Sequence, residues 1–552
     1  MQRLLDQPHA STTTAIPSAE RDSPFALQTL QAKETANTTA EILGYKFRDD
    51  VSATLTSLKD TLETQFESSA SDQFLSHQTI VHPSLSAQLP PVSFVVEIVK
   101  SIKARPPTIL VAFSMHDMSF VENLFRKVYL PFEPATSGSV ALAQGLLYFI
   151  MRDMLQSRDP ISERNDFAGF MKTCEESFST ALANFEVFAV PALENVQVLF
   201  FGAIKATDEG KLNLAWTYLS SASTMCHTLG IHRESILRKD HPDVAHQKRL
   251  VFWVLHMIEK NLSLTLGRSS NFRDYDIDCD YFSVSSDPRL APWDLANIAC
   301  IKVGSVQSRM YDQFYSATAK RQSPDQRAQA AEEIVVEVHR LRDELRSIDT
   351  SGAYLIEWLQ VAMSHDGFFF NSLLTTCYLC QTSTSEYAEI STRCHSAAKL
   401  SLSEFSGTSD RVHHYDFYKS CDFLNWVLLF TSFTPFVVVF AHAVATNDQE
   451  DLDLLQNTVN ALDRVKDINR WSHRLYSVCK AFLDVSVSLS NAHQVSLGLT
   501  QQEDGSLLFP SPNMAAEFTR PNAISNDNMT DDDLSEFIES LVGTGMTFAD
   551  MT

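Results

Sequence analysis

The stretch LNLAWTYLSSASTMCHTLG, residues 212–230, is the clearest sign of how this chain folds. Its apolar residues recur every three or four positions, as on one face of an α-helix; they are Leu212, Ala215, Trp216, Leu219, Ala222, Cys226 and Leu229. Gly230 follows directly, and glycine often ends a helix because it turns left-handed without a Cβ clash. The stretch therefore predicts one complete amphipathic helix.

Similar helical signals extend in both directions from this stretch. Residues 250–266 are apolar on most sides, which predicts a largely buried helix ended by Gly267. Ser323, followed by Pro324 and then Gln326, predicts a capping box. The helix behind it has one apolar face, made of Ile334, Val338, Leu341 and Leu345. The few strand-like runs are short, and we interpret most of them as buried helix: residues 92–99, 108–113 and 437–440. We predict an all-α fold, a large irregular multi-helix domain.

The composition is globular but strongly acidic. Of 552 residues, 44% are apolar and 20% charged, which is typical of a folded protein. The formal net charge of −24 repels nucleic-acid phosphates, so the chain taken alone is a poor DNA binder. Its nine cysteines are scattered and odd in number, which favours reduced, buried thiols over a disulfide framework.

The chain divides into three segments by composition. Residues 1–90 predict a weakly structured leader with one amphipathic stretch at 51–66, and residues 91–495 predict the helical domain. Residues 496–552 predict a linker and an acidic, disordered tail. A short amphipathic segment in that tail has four apolar residues at helical spacing: Leu534, Phe537, Ile538 and Leu541. Such acidic-hydrophobic segments are common in activation domains, but a helix docked on its own domain is an equally open interpretation.

Three pieces of the middle region together carry a resemblance to a known family. The first is PALENVQVLFFGAIKATDEGKLNLAWTYLSSASTMCHTLGIHRES, residues 191–235; the second is KRLVFWVLHMIEKNLSLTLGRSSNFRDYDID, residues 248–278. The third is FTPFVVVFAHAVATNDQEDLDLL, residues 433–455. In this order they resemble the fungal-specific transcription factor domain, the middle homology region of zinc-cluster regulators. The resemblance covers roughly residues 95–490.

The resemblance implies a set of structural motif residues: Trp216, Gly230, His232, Arg233, Arg249, Trp253, Gly267, Arg268, Asp274 and Asp276. It also implies a nuclear transcriptional regulator, with the cytoplasm as a second compartment. The acidic tail would recruit the transcription machinery, and the chain would form a homodimer or a heterodimer with a zinc-cluster protein. We expect no enzymatic activity and no membrane association.

One departure from the family concerns its DNA-binding module. Family members usually begin with six cysteines that bind two zinc ions, whereas the first cysteine here is Cys174. We therefore expect no cofactor in this chain, and zinc only if a missing N-terminal cluster exists. DNA would be reached indirectly or through that missing module. Either the chain is truncated, or it is a cluster-less interaction protein that acts through a DNA-binding partner.

Other candidate chemistry in the sequence is weak. The aspartates at 274, 276, 278 and 280 do not form an EF-hand, because Cys279 and Ser285 occupy the positions of its glycine and glutamate. We predict instead that Arg268 pairs with Asp274 or Asp276.

Two groups of histidines have simple structural interpretations. We interpret His413–His414 as a pair in a loop, and Cys226–His227 with His232 as a helix end and the turn after it. Cys377 and Cys380, with Cys394–His395 downstream, suggest zinc only superficially. No HExxH, GxSxG, Walker or GxGxxG motif is present in the sequence. The stretch Phe423–Ala445 is uncharged and long enough to span a membrane, but Pro435 near its middle would interrupt a spanning helix.

Overall fold

The computed structural model describes most of the chain between residues 29 and 503. The described residues are a few between 29 and 40, then 49–72, 89–131, 134–164, 166–184, 190–364, 366–380, 387–412 and 433–503. Within these ranges the helices are joined by turns and loops, and no strand occurs. The all-α prediction is confirmed.

The helices of the first half of the chain pack around one apolar core, except the first of them, which packs on a helix of the second half. They are α1 (Asp49–Asp72), α2 (Val92–Ala104), α3 (Thr108–Ala112), α4 (Met118–Tyr129), α5 (Ser137–Gln156), α6 (Phe167–Ala183), α7 (Leu193–Asp208), α8 (Leu212–Leu229), α9 (Glu234–Leu237) and α10 (Pro242–Thr265). The core of α2–α10 is rich in phenylalanine: the Phe201 ring meets Phe200 edge to face at 5.2 Å and lies tilted against Phe149 at 5.6 Å. Gly145 lets α5 approach α6, because a Cβ there would lie 2.8 Å from the Phe178 ring.

The remaining described helices belong to the second half of the chain. They are α11 (Ala291–Met310), α12 (Pro324–Arg346), α13 (Ile356–Ser364), α14 (Asp366–Leu379), α15 (Tyr387–Val412), α16 (Thr434–Thr446), α17 (Gln449–Asp463) and α18 (Arg470–Glu503). A second core forms among α14–α18, where Phe440 and Phe482 meet edge to face at 4.8 Å. A third, smaller core joins α11, α12 and α14.

The local sequence signals appear where they were predicted. Helix α8 ends at Leu229, and Gly230 takes the left-handed conformation with φ +68°, while Gly267 follows α10 with φ +66°. The capping box of α12 is present, with the Ser323 hydroxyl accepting from the Gln326 amide. The four predicted apolar positions of α12 are buried. All three strand-like runs lie in helices, α2, α3 and α16, because each is buried against neighbouring helices and pairs with no other strand.

One element of the leader belongs to the folded body. Helix α1 lies along α18, and its Val51, Leu58 and Leu62 are buried in the second core. The predicted amphipathic stretch, residues 51–66, falls inside this helix. Structure therefore starts well before the predicted boundary at residue 90, because the apolar stripe of α1 is covered by a helix more than 400 residues away in sequence.

The uncharged stretch Phe423–Ala445 is described only from residue 433 onward. There it forms α16, a helix of 13 residues that starts at Thr434 with Pro435 in its first turn. Such a helix is about 20 Å long, shorter than a bilayer core. Among the residues that the structure describes, no helix is long and apolar enough to cross a membrane.

Replacement of Leu58 by alanine tests the docking of α1. Leu58 is fully buried against the second core, so Leu58→Ala should lower the free energy of unfolding by about 2–5 kcal/mol. Urea denaturation followed by circular dichroism measures it. Ser57→Ala, on the exposed side of the same helix, is the control and should change little. Equal stability of Leu58→Ala and the parent chain would show that α1 does not dock in solution.

Candidate functional site

The residues of the family motif meet around the buried helix α10. Two connections pack against this helix: the turn and short helix after α8, residues 230–237, and the loop after α10, residues 267–281. The two connections touch each other, since the Asp278 amide donates to the His232 carbonyl at 3.2 Å. The Trp253 indole nitrogen on α10 donates to the Asp280 carbonyl at 2.9 Å. We call this assembly the motif junction.

Glu234 is the centre of the junction's first polar cluster. Its carboxylate accepts from Arg249 on α10 at 2.5 Å, from Arg238 at 3.2 Å and from the Asp280 amide at 3.2 Å. The Glu234 amide in turn donates to Asp278 at 2.8 Å. Burial opposes ionisation of Glu234, but these donors hold the pKa of its carboxyl below the usual value. A single buried carboxylate thus joins α9, α10 and the following loop.

Asp274 is the centre of the second cluster. It accepts from His256 at 3.1 Å and from Lys260 at 2.8 Å, and both of these α10 side chains are wholly buried. Burial opposes its ionisation, yet the hydrogen bond from His256 and the charge of Lys260 hold the pKa of the Asp274 carboxyl well below its usual range. Burial lowers the pKa of His256 to about 4, so this imidazole is neutral at pH 7.

A third carboxylate, that of Glu259, is buried, and its hydrogen-bond donors are neutral groups. It accepts from Ser263 at 2.9 Å, from Ser270 at 2.5 Å and from the Asn271 backbone amide at 2.8 Å. Neutral donors from one turn of α10 and from the loop therefore satisfy it. Residues 267–274 are therefore held against α10 by polar side chains of that helix, which would be costly to bury without these partners.

Arg268 is placed differently from the prediction. Its guanidinium donates to Asn213 at 2.6 Å and lies over the Trp216 ring, 4.5 Å from the centroid. The prediction that Arg268 pairs with Asp274 or Asp276 is wrong. The reason is the direction of the chain after Gly267: it starts beside α8 and reaches the aspartates only after a turn, where α10 and Arg233 neutralise them.

The remaining motif residues stabilise the same junction. Trp216 donates its indole N–H to Ser263 at 3.1 Å, which ties α8 to α10. Arg233 forms an ion pair with Asp276, and His232 lies buried with Nε2 at 3.6 Å from the same carboxylate. Gly230 provides the left-handed turn between the end of α8 and His232. The predicted motif residues are thus brought together, whereas Leu534, Phe537, Ile538, Leu541 and His413–His414 lie outside the described residues.

The cysteines of the superficial zinc pattern lie in the apolar core. Cys377 and Cys394 are buried among α12, α14 and α15, and the Cys394 thiol approaches the Thr375 carbonyl at 3.6 Å. Burial raises the pKa of Cys380 to about 12, which keeps that thiol protonated. The thiolate form needed for metal binding is therefore disfavoured there.

A cavity of about 450 Å³ opens between α3, α5 and the start of α13 with the residues before it. It is lined by polar and aromatic groups that include Arg105, Asp153, Arg289, Tyr354 and Trp358. The motif residues Trp216 and Trp253 do not line it. They pack in the motif junction instead.

Comparison with known proteins matches the region that holds this junction. Residues 140–342 match the fungal specific transcription factor domain. The chain contains this domain. The matched range runs from α5 through α12 and includes every motif residue of the junction.

Relatives of the domain carry names from transcription. Two uncharacterized transcriptional regulatory proteins of Schizosaccharomyces pombe are 27% and 25% identical over 334 and 341 residues. These matches cover 54% and 56% of this chain, and 49% and 55% of those proteins. An ABC-transporter-regulating transcription factor of Aspergillus oryzae is 23% identical over 29% of this chain and 19% of its own. The chain thus spans about half the length of the first two relatives. No solved structure matches it.

Sequence reasoning missed several polar residues of the junction: Glu234, His256, Glu259, Lys260, Ser270 and Asn271. A signal for three of them was present, because His256, Glu259 and Lys260 lie within about one turn of each other in a stretch predicted to be a largely buried helix. Polar groups in a buried helix need partners, which predicts a polar contact facing that turn. The identity of the partners could not be read from the pattern.

Arg249 and Arg238 provide a matched test of the Glu234 cluster. Both bond to the same carboxylate, but the Arg249 side chain is 18% exposed and that of Arg238 is 74% exposed. Arg249→Met should lower the free energy of unfolding by about 3 kcal/mol, because it leaves a buried carboxylate short of a partner. Arg238→Met should lower it by less than about 1 kcal/mol. Chemical denaturation compares them, and equal effects would contradict the assignment.

The neutral His256 predicts a pH dependence of stability. Its folded pKa of about 4 lies below the ordinary 6.5, so only the unfolded chain gains a proton here as the pH falls between these values. The free energy of unfolding should therefore fall over this window, by roughly 3 kcal/mol from this residue. Asp274 contributes only below this window, because its pKa is already low in the unfolded chain.

His256→Gln isolates this contribution, because glutamine can still donate to Asp274 but does not titrate. Urea unfolding from pH 7 to pH 4 should show a shallower loss of stability for this variant than for the parent chain. His241→Gln is the control, since that imidazole is 72% exposed. Parallel curves for all three proteins would contradict the buried neutral state of His256.

Proposed function

We propose that this chain is a fungal transcriptional regulator in which the helical domain is a structural and relay scaffold and the acidic tail activates transcription. The observation that supports this most is the motif junction itself. The side chains common to the family resemblance bond to one another and to α10, and none of them is arranged as a nucleophile with an adjacent base. Their arrangement suits a rigid scaffold.

The finer parts of the proposal come from the sequence and the relatives. Both curated relatives from Schizosaccharomyces pombe are named as transcriptional regulatory proteins. The acidic tail has ten acidic residues and one basic residue between Glu503 and Thr552, a composition that suits recruitment of the transcription machinery. The protein would act in the nucleus.

DNA binding needs clustered positive charge, which the 552 residues of this sequence do not provide. The net charge is −24, so we propose that DNA is reached through a basic zinc-cluster module, either joined to this chain or supplied by a dimer partner. In the second case the chain would be an interaction protein that works through that partner. A zinc cofactor would then belong to the DNA-binding module.

Tethering to DNA tests the activating role of the tail. The full chain fused to an unrelated DNA-binding domain should raise expression of a reporter gene in a fungal host. Joint replacement of Leu534, Phe537, Ile538 and Leu541 by alanine should remove most of this activation, because the apolar face that would bind a partner is lost.

The control for this experiment alters the same segment without touching its apolar face. Ser535→Ala with Ser540→Ala should retain full activation. Immunoblotting confirms equal amounts of each fusion. A parent fusion with no activation would reject the activating tail. Repression of the reporter would reverse the direction of regulation.

A further inference from the structure

Three helices of the C-terminal half bring two histidines and an aspartate together outside the matched domain. His395 lies on α15, His442 on α16 and Asp451 in the first turn of α17. In the sequence these residues lie in three separate segments: His395 follows Cys394, His442 lies in the uncharged stretch Phe423–Ala445, and Asp451 starts the run DLDLL. Only the packing of the three helices places them side by side.

The geometry of this cluster converges on one oxygen atom. Asp451 Oδ2 lies 2.9 Å from His395 Nε2 and 2.5 Å from His442 Nδ1. The two imidazole rings are stacked with centroids 3.6 Å apart and an angle of 19° between their planes. One ring nitrogen of each histidine therefore points at the same carboxylate oxygen, and all three ligand atoms lie within 4.8 Å of one another.

The environment of Asp451 is that of a ligand held in place. Its carboxylate is fully buried, and Oδ1 has no aligned hydrogen-bond donor. Lys399 Nζ lies 3.3 Å from Oδ1, within ion-pair distance, and 3.1 Å from Glu450. Lys399 thus faces the oxygen that does not point at the histidines. Oδ2, which faces both rings, is therefore the carboxylate oxygen placed to serve as a ligand atom.

We propose that His395, His442 and Asp451 form a binding site for a divalent transition-metal ion, with Zn²⁺ as the ion that fits its donor set. Two imidazole nitrogens and a carboxylate oxygen are ligands that zinc takes in three-ligand sites with water in the fourth position. The histidine side chains are 16% and 17% exposed, so water can reach the ion. Each neutral imidazole turns its lone pair to the ion by moving its proton to the other ring nitrogen.

The site needs only a small opening to hold the ion. Ligand atoms around tetrahedral zinc are about 3.3 Å apart, given metal–ligand bonds of about 2.0–2.1 Å. The nitrogen-to-oxygen distances here are 2.9 and 2.5 Å, so the gap widens by less than about 1 Å. A bound ion would link α15, α16 and α17 at one point, which stabilises the folded state because the unfolded chain lacks the site.

A second His/His/Asp group in the chain is less suitable and provides a control. His227, His232 and Asp276 are also within reach of one another. There, however, the closest imidazole nitrogen lies 3.6 Å from the Asp276 carboxylate, and the rings meet edge to face at 4.7 Å. The carboxylate is already paired with Arg233. This arginine would compete with an ion for the carboxylate.

Zinc titration of the full chain tests the proposal. The purified, chelator-treated protein is titrated with Zn²⁺ alone against a chromophoric competitor. We expect one tight equivalent, weakened at least tenfold in both His395→Ala and His442→Ala and unchanged in His227→Ala. His442→Gln is the second variant should His442→Ala lose its helical circular dichroism.

Substitution of Co²⁺ for Zn²⁺ distinguishes this site from the thiols of the chain. Tetrahedral nitrogen and oxygen ligands give visible bands without the near-ultraviolet thiolate-to-metal absorption, and these bands should disappear in His395→Ala. Three results overturn the proposal: no bound zinc equivalent in the parent protein, unaltered binding in both histidine variants, or loss of binding in His227→Ala. A thiolate-to-cobalt band from the tight equivalent would also overturn it.

Discussion

The structure of the matched domain depends on the burial of charged and polar groups in α10. This helix runs through the phenylalanine-rich core, and one turn of it carries His256, Glu259 and Lys260 with almost no exposure. Ionised and polar groups cannot stay in an apolar core without partners, because they lose their hydration there. The loop after Gly267 provides those partners and is therefore held tightly against the helix.

This requirement explains why two separate stretches of the family resemblance behave as one unit. The loop 267–281 satisfies α10 from one side, and the same loop bonds to the short segment after α8 through Asp276 and Asp278. Glu234 completes the connection by accepting from Arg249 and from the Asp280 amide. Replacement of any one member therefore removes a hydrogen-bond or ion-pair partner from the others.

The C-terminal half is organised differently. Its core is mainly apolar, and α1 from the beginning of the chain is packed on α18 from its end. Closing such a long loop is costly in entropy, but that cost grows only slowly with loop length, so a helix with a good apolar stripe can return from far away. The three-helix cluster around Asp451 lies in this half, apart from the motif junction.

Local physics made much of the fold readable from the sequence. The spacing in residues 212–229, the glycines at 230 and 267 and the capping box at Ser323 depend only on neighbours within a few positions, and all appear as predicted. The partners of buried charges were decided by tertiary structure alone. Arg268 met Trp216 and Asn213, whereas Asp274 met His256 and Lys260, because the direction of a loop in space is not encoded in residue spacing. The same holds for α1 on α18 and for His395, His442 and Asp451, which are brought together only when distant helices pack.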